Sequence, residues 1–229
     1  MSAIPIACLR LRFAEAGNGS SRPHLLRGAM ASLFPNEPLL HQHGQNGLIY
    51  RYPLVHYRWR NGDGFLAGFH EGAHLLARLP LLGRPLYLGN VATNITDVEI
   101  CFASKEVRMA KRLVRYYFAT PWLPFNQENN ETYKNMNQNQ QVYERDRIAV
   151  GNLLTALRGL KIEFPGRLYA AVHVHRAVPC AYKDQTFVGF WGTLLTNADL
   201  PDDIAVGRAV SHGYGWLKRV DSPSGITKP

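Results

Sequence analysis

The chain has 229 residues and carries 26 Lys and Arg against 17 Asp and Glu, which gives a formal charge of +9. This length provides for a sizeable core and favours two domains of about a hundred residues each. The basic excess favours a polyanionic partner, with nucleic acid ahead of a membrane surface. No apolar run approaches the roughly 18 residues that span a bilayer, and the start lacks the basic leader of a secretion signal. We therefore expect a cytoplasmic protein.

Periodicity predicts the secondary structure in chain order. Alternation of β-branched and aromatic residues predicts strands at residues 4–13, 50–60, 64–70, 86–102, 112–119, 168–182 and 186–195. Apolar residues at helical spacing predict helices at residues 22–34, 71–79 and about 142–160. The order predicts an α+β fold of two tandem ferredoxin-like units, with antiparallel sheets and helices on one face.

The predicted domain boundary follows from this order. The N-terminal ferredoxin-like domain covers residues 1–104, the C-terminal one covers 105–220, and residues 221–229 form a flexible tail. Within the second domain, ten of the sixteen residues 126–141 are Asn or Gln. This tract predicts a solvated loop, and a capping role at the start of the long helix is the alternative.

The three cysteines are odd in number and far apart, at Cys8, Cys101 and Cys180. That pattern predicts neither a disulfide framework nor a CxxC metal site. We interpret all three as small buried apolar residues.

One short window concentrates groups that transfer protons. His41, His43 and Tyr50 lie in a glycine-containing stretch that leads into a predicted strand, where catalytic groups are often displayed. Histidine serves as acid and base near neutral pH because its unperturbed pKa is about 6.5. On the residues alone, ordinary surface histidines are an equally good interpretation.

Basic residues concentrate in the second half, where 17 Lys and Arg face 11 Asp and Glu from residue 105 onward, against 9 and 6 before it. Four of these cations precede the aromatic residues at 116–118: Arg108, Lys111, Arg112 and Arg115. Cations beside stacking rings suit single-stranded RNA. A solvated charged edge that discourages aggregation is the alternative.

A glycine-rich segment covers residues 207–215 and contains Arg208, Ser211 and His212. The backbone amides of such a loop approach phosphates closely. A tight turn into a final strand would need glycines equally, so the spacing alone is weak evidence.

Residues 70–74 match the HExxH pattern of zinc peptidases. We reject a zinc site because the residues before it predict a strand, Pro80 ends the helix soon after, and a third ligand is lacking. His173 and His175 could also bind a metal, because residues two apart on a strand share a face. We expect them instead on a solvent-facing or RNA-facing sheet surface. No metal or other cofactor is expected.

The chain resembles the CRISPR-associated endoribonucleases of the sixth Cas family within the RAMP superfamily, in particular the b-type branch. The resemblance spans about residues 20–220. It rests on short segments in a specific order: Arg27-Gly28-Ala29, His41-Gln42-His43 with Tyr50, residues 50–57, Glu71-Gly72-Ala73, residues 121–129 with Tyr133-Lys134-Asn135, residues 147–154 and the glycine-rich segment. The Asn/Gln tract and the histidines beside Glu71 depart from the pattern of the branch.

The resemblance implies metal-independent cleavage of precursor CRISPR RNA within its repeats. The 2′-OH attacks the adjacent phosphate and leaves a 2′,3′-cyclic phosphate. His41 and His43 are implied as the proton-transfer residues, without a division into base and acid, and Tyr50 shares that work or orients the phosphate. Arg208, Ser211 and His212 are implied to grip the RNA backbone.

The implied partner is CRISPR repeat or guide RNA. Other Cas proteins in an effector complex and a second copy of the chain are further expected partners. The alternative to an enzyme is a non-catalytic subunit that binds guide RNA. The presence of His41, His43 and Tyr50 together argues against this alternative. A zinc metallopeptidase is the remote alternative.

Overall fold

The computed structural model describes residues 3–14, 23–41, 43–44, 47–48 and 52–220, with residues 43–44 and 47–48 described by their backbone. The chain divides into two compact units. The first comprises Met1–Glu106, Arg158–Ile162 and Val210–Gly213. The second comprises Val107–Leu157, Glu163–Ala209 and Tyr214–Pro229.

The first unit contains seven strands and three helices in its described residues. The strands are β1 (Ala3–Phe13), β2 (His43–Gly44), β3 (Gly47–Leu48), β4 (Val55–Arg60), β5 (Asp63–Phe69), β6 (Pro85–Leu88) and β7 (Val91–Glu106). The helices are α1 (Pro23–Leu33), α2 (Pro38–His41) and α3 (Glu71–Arg78). Five strands form an antiparallel sheet in the order β4-β5-β1-β7-β6, and β2 pairs with β3 in a small hairpin.

The core of this unit follows from the alternation along β1. Leu9 and Leu11 are buried, while Arg10 and Arg12 between and beside them are more exposed. Helix α1 contributes Leu26 and Met30 to the same core. Helix α1 packs against β4, and α3 packs against β1 and β5. The helices therefore cover the apolar face of the sheet.

The second unit is built on a four-stranded antiparallel sheet. Its strands are β8 (Arg108–Phe118), β9 (Ala170–Tyr182), β10 (Gln185–Asp199) and β11 (Leu217–Arg219), in the order β11-β8-β10-β9. Its helices are α4 (Gln127–Lys134) and α5 (Gln138–Gly159). Trp122 stacks on Phe118 of β8 and donates its indole N–H to Asn152 of α5 at 2.9 Å. Tyr133 of α4 packs edge-on against Phe190 of β10.

The predicted α+β fold with tandem ferredoxin-like units is confirmed. In the five-stranded sheet β5 and β7 flank β1, and in the four-stranded sheet β10 and β11 flank β8. This is the strand order of a βαββαβ unit, in which the first strand of the sheet lies between the third and the last. The predicted strand at 86–102 is wrong in one respect, because it is two strands, β6 and β7. Gly89 adopts a φ of 65° in the turn between them, a conformation that glycine reaches without steric cost.

The Asn/Gln tract is helical, so the prediction of a solvated loop is wrong. The side chain of Asn126 accepts a hydrogen bond from the Asn129 N–H at 2.7 Å and caps α4. Asn137 and Gln140 exchange backbone-to-side-chain bonds of 3.0 Å at the start of α5, which is a capping box. Neither the polar α5 nor any other helix in the described part of the chain is long and apolar enough to cross a membrane.

The cysteines differ in burial. Cys180 is buried, as predicted, whereas Cys8 is partly exposed and Cys101 is exposed. The prediction is wrong for the latter two because they lie directly opposite each other on β1 and β7, away from the core residue Leu9.

Candidate active site

His41 is the last residue of α2, and its side chain is partly exposed. Its Nε2 lies 3.2 Å from the carbonyl oxygen of Pro35. Because a carbonyl oxygen only accepts hydrogen bonds, Nε2 carries a proton in this contact. In the neutral ring Nδ1 is then the unprotonated nitrogen.

Two side chains fix the backbone at the end of α2. Arg27 on α1 donates from Nη2 to the carbonyl oxygen of His41 at 2.5 Å. Tyr57 on β4 donates its hydroxyl to the carbonyl oxygen of Leu40 at 2.9 Å. Tyr57 is fully buried, and burial raises its pKa, so the phenol stays a neutral donor near neutral pH. These bonds satisfy carbonyls that the end of a helix leaves without helical partners.

We expect Tyr57→Phe to lower the free energy of unfolding by about 1–2 kcal/mol, because the carbonyl of buried Leu40 loses its donor. Urea unfolding of the two proteins measures this change. Tyr87→Phe is the matched control, since Tyr87 is 68% exposed. Equal stability losses in both variants would contradict the assignment.

His43 lies on the hairpin that follows α2. Its backbone belongs to β2 and is paired with Leu48 of β3. Tyr50 lies outside the described residues. The proton-transfer roles of His41, His43 and Tyr50 stay predictions, while the structure defines Arg27 and Tyr57 as the residues that bond the backbone at the end of α2.

Part of the glycine-rich segment joins the first unit. Residues Val210–His212 form a 3-10 turn that packs against α1 and β4. A Cβ at Gly213 would lie 2.5 Å from a ring carbon of Pro23 and 3.2 Å from the Tyr57 carbonyl oxygen, and Gly213 has a φ of 89°. Only glycine fits this close approach. Tyr57 consequently borders both the backbone at His41 and the turn that carries His212.

The three predicted RNA-binding residues of the segment lie in different settings. Ser211 is buried, at 6% exposure, and its Oγ is 3.2 Å from Nδ1 of the partly exposed His212. Arg208 belongs to the second unit and is exposed. Its guanidinium carbon lies 5.8 Å from the centroid of the Phe187 ring. The segment thus contributes Ser211 and His212 to one unit and Arg208 to the other.

The four predicted RNA-binding cations of β8 are all exposed. The Nε of Arg108 lies 3.2 Å from a carboxylate oxygen of Asp199, which partly neutralises its charge. Lys111, Arg112 and Arg115 make no ion pair with any residue that the structure describes. Lys111 and Arg112 fall where the pairing of β8 with β10 is irregular.

The geometry at residues 70–74 disagrees with a zinc site. His70 precedes α3 with a φ of 51°, and its Nε2 lies 2.6 Å from the carbonyl oxygen of Leu160, so that nitrogen donates a proton and is not a ligand. Lys161 lies 2.7 Å from Glu71 and holds the pKa of that carboxyl below its usual range. Among the described residues, no group of three His, Cys, Asp or Glu is arranged to hold a metal ion.

Arg27 and Tyr57 were not singled out as functional residues by the sequence analysis. Both lie within the segments that carry the family resemblance. Arg27 is the single Lys or Arg of an otherwise largely apolar α1, and Tyr57 lies in the run of buried residues that begins β4. A lone arginine on an apolar helix is the sequence signal that indicates a specific hydrogen-bond acceptor nearby.

Two family models match almost the whole chain. The Cas6b N-terminal domain matches residues 4–106, and the Cas6b C-terminal domain matches residues 108–220. Together with the paired ferredoxin-like units, these matches define the class of protein. The chain belongs to the Cas6b family.

Two solved structures and one curated protein are similar to this chain. A crystal structure of Cas6b is 25% identical in sequence, with a TM-score of 0.84, and the match covers 96% of this chain and 100% of that one. A crystal structure of a CRISPR RNA processing endoribonuclease, also Cas6b, is 22% identical with a TM-score of 0.73, over 94% and 100% of the two chains, and supports the fold. An uncharacterized protein of Methanocaldococcus jannaschii is 31% identical over 117 residues, which are 51% of this chain and 80% of that protein.

Proposed function

We propose that this protein is a metal-independent endoribonuclease that cuts precursor CRISPR RNA within its repeats to give mature guide RNA. Membership of the Cas6b family supports the processing of CRISPR RNA in general. The observation that carries the proposal is that one residue, Tyr57, lies beside two segments that contain predicted site residues. Tyr57 contacts both the backbone beside His41 and Gly213, which follows His212.

The proposed reaction is an internal transesterification of RNA. The ribose 2′-oxygen forms a bond to the adjacent phosphorus, and the bond from phosphorus to the 5′-oxygen breaks. A base takes the proton of the 2′-OH, and an acid returns a proton to the leaving 5′-oxygen. The products carry a 2′,3′-cyclic phosphate and a 5′-OH, so the reaction consumes no water.

His41 and His43 exchange these two protons in the proposed mechanism. In the neutral ring of His41 the unprotonated nitrogen is Nδ1, since Nε2 donates to Pro35. Tyr50 shares the proton transfer or orients the phosphate. Arg27 fixes the His41 backbone from α1, and its positive charge favours approach of the anionic phosphate.

Cleavage of repeat RNA from the CRISPR locus of the same genome tests the proposal. The RNA is incubated with purified protein in EDTA, and the product ends are identified by mass spectrometry. A single cut with a cyclic phosphate supports the proposal. Tight binding without a cut would support a non-catalytic guide-RNA-binding subunit instead. Assembly with other Cas proteins and homodimerisation remain predictions.

Arg208→Ala is expected to weaken binding of repeat RNA and to reduce the slope of log affinity against log salt by about one phosphate contact. The reason is that exposed Arg208 supplies a cation on a glycine-rich loop. Filter binding at several salt concentrations measures both effects. Arg158→Ala removes an exposed arginine from the end of α5 and serves as the control. An unchanged salt slope in Arg208→Ala would contradict the role.

A further inference from the structure

The sheet of the second unit has one face open to solvent. Along β10, Gly192 and Leu194 are buried, whereas Trp191, Thr193 and Leu195 are partly exposed. Successive side chains of a strand point to opposite faces, and α4 and α5 supply the buried side. Trp191, Thr193 and Leu195 therefore point away from the helices.

Neighbouring strands extend this face sideways. Thr193 is paired with His173 of β9 on one side and with Tyr117 of β8 on the other. Tyr117 is paired in turn with Lys218 of β11. Directly paired residues share a face, so these four side chains form one row across all four strands. Tyr117 is 42% exposed, and His173 is exposed.

Cations flank the aromatic residues of the same face. Arg176 is paired with Trp191, and Arg115 is paired with Leu195. Neither arginine makes an ion pair within the part of the chain that the structure describes. Lys218, at the edge of the sheet, lies 4.0 Å from Asp203. We call this surface the open sheet face, defined by Arg115, Tyr117, His173, Arg176, Trp191 and Lys218.

A bulge shapes the β9 side of the open sheet face. The pairing of β9 with β10 shifts between Trp191 and Gly192, which leaves His175 as an extra residue. A Cβ at Gly192 would overlap the carbonyl oxygen of His173, so the bulge needs glycine there. The rings of His173 and His175 lie 5.0 Å apart, centroid to centroid. Bulges of this kind re-aim side chains beside binding sites.

The composition of the face identifies the chemistry of its ligand. Tyrosine and tryptophan on a solvated face gain little from packing, and arginines without carboxylate partners favour a polyanion. A flat, four-stranded platform with aromatic rings accepts unstacked bases, and the flanking cations accept the phosphates between them. A double helix would bury its bases and leave the rings unused.

We propose that the open sheet face binds single-stranded RNA, with bases stacked on Tyr117 and Trp191 and phosphates held by Arg115 and Arg176. This proposal rests on the proposed function, because it assigns to the open sheet face a stretch of the same RNA outside the nucleotides at His41. Adjacent strands lie about 4.8 Å apart, so the platform has room for two or three bases.

The double variant Tyr117→Ala, Trp191→Ala tests the proposal. We expect its dissociation constant for single-stranded repeat RNA to rise about 5- to 100-fold, with no change in salt slope, since stacking releases no counterions. Arg115→Gln should instead lower the slope by about one. The control Tyr87→Ala, Tyr143→Ala removes two exposed tyrosines that lie on β6 and α5 and are not part of the sheet β11-β8-β10-β9.

Tryptophan fluorescence supplies a second, direct readout. RNA should quench the emission of the parent protein, and Trp191→Phe should lose most of that quenching while thermal unfolding stays the same. Unchanged affinity in the Tyr117→Ala, Trp191→Ala variant would overturn the proposal, as would an equal loss in the control. A parent protein that binds but does not cut would overturn the proposed function and leave this surface supported by the affinity and quenching data.

Discussion

Replacing His41 by alanine is expected to slow cleavage of repeat RNA by roughly 10²- to 10⁴-fold while RNA affinity stays within a few-fold. In the proposed mechanism His41 exchanges a proton with the RNA. The substitution removes this group but keeps the backbone hydrogen bonds from Arg27 to His41 and from Tyr57 to Leu40. Single-turnover cleavage at saturating protein gives the rate, and filter binding gives the affinity. His43→Ala should behave in the same way.

The pH dependence distinguishes a chemical role of His41 from a structural one. A histidine that transfers a proton produces one limb of the pH–rate profile, and that limb should be missing from the residual activity of His41→Ala. His74→Ala is the matched control, because His74 is an exposed histidine on α3. Affinity and rate falling together in His41→Ala would contradict its catalytic assignment.

Arg27→Met is expected to reduce the cleavage rate by about 10²-fold, because the carbonyl oxygen of His41 loses the donor that fixes its position. Methionine keeps much of the length of the side chain without its charge or its N–H groups. Arg27 is a positioning residue in this account, so Arg27→Lys, which retains a donor and a charge, should recover part of the rate.

The control for Arg27 is Arg78→Met, which removes an exposed arginine from the last turn of α3. Its cleavage rate should equal that of the parent protein. Full activity in Arg27→Met would show that the hydrogen bond to His41 is not needed. A loss in Arg27→Met with no recovery in Arg27→Lys would mean that the guanidinium itself, and not the support of the backbone, is what the reaction requires.

Alternation carried enough information to predict most of both sheets. Strands such as β1 and β10 bury one face and expose the other, so their residues repeat with a period of two. The loop prediction for the Asn/Gln tract was wrong because it was made from the polar composition of the tract. The structure depends instead on which of its residues stand at the helix starts. Asn126 and Asn137 each sit at a helix start and cap it, which composition alone does not reveal.

The candidate site was predictable in part. His41, His43 and Tyr50 were predicted from a family resemblance and a short window of sequence, and their roles stay predictions. The hydrogen bonds from Arg27 and Tyr57 join residues 14 and 17 positions apart on different elements, which no local period encodes. The division of the glycine-rich segment between the two units is equally long-range, since Gly213 fits against Pro23 and Tyr57 of the first unit while Arg208 packs near Phe187 of the second.

The most direct test of the proposed reaction uses repeat RNA with a single 2′-deoxy nucleotide on the 5′ side of the mapped cut. The deoxy RNA and the all-ribose RNA are incubated with the protein in EDTA, and both binding and cleavage are measured. We expect the all-ribose RNA to be cut to a 2′,3′-cyclic phosphate, while the deoxy RNA binds equally well and remains intact. Cleavage of the deoxy RNA would contradict attack by the 2′-oxygen, and cleavage of the ribose RNA only after a divalent metal is added would contradict a metal-independent reaction.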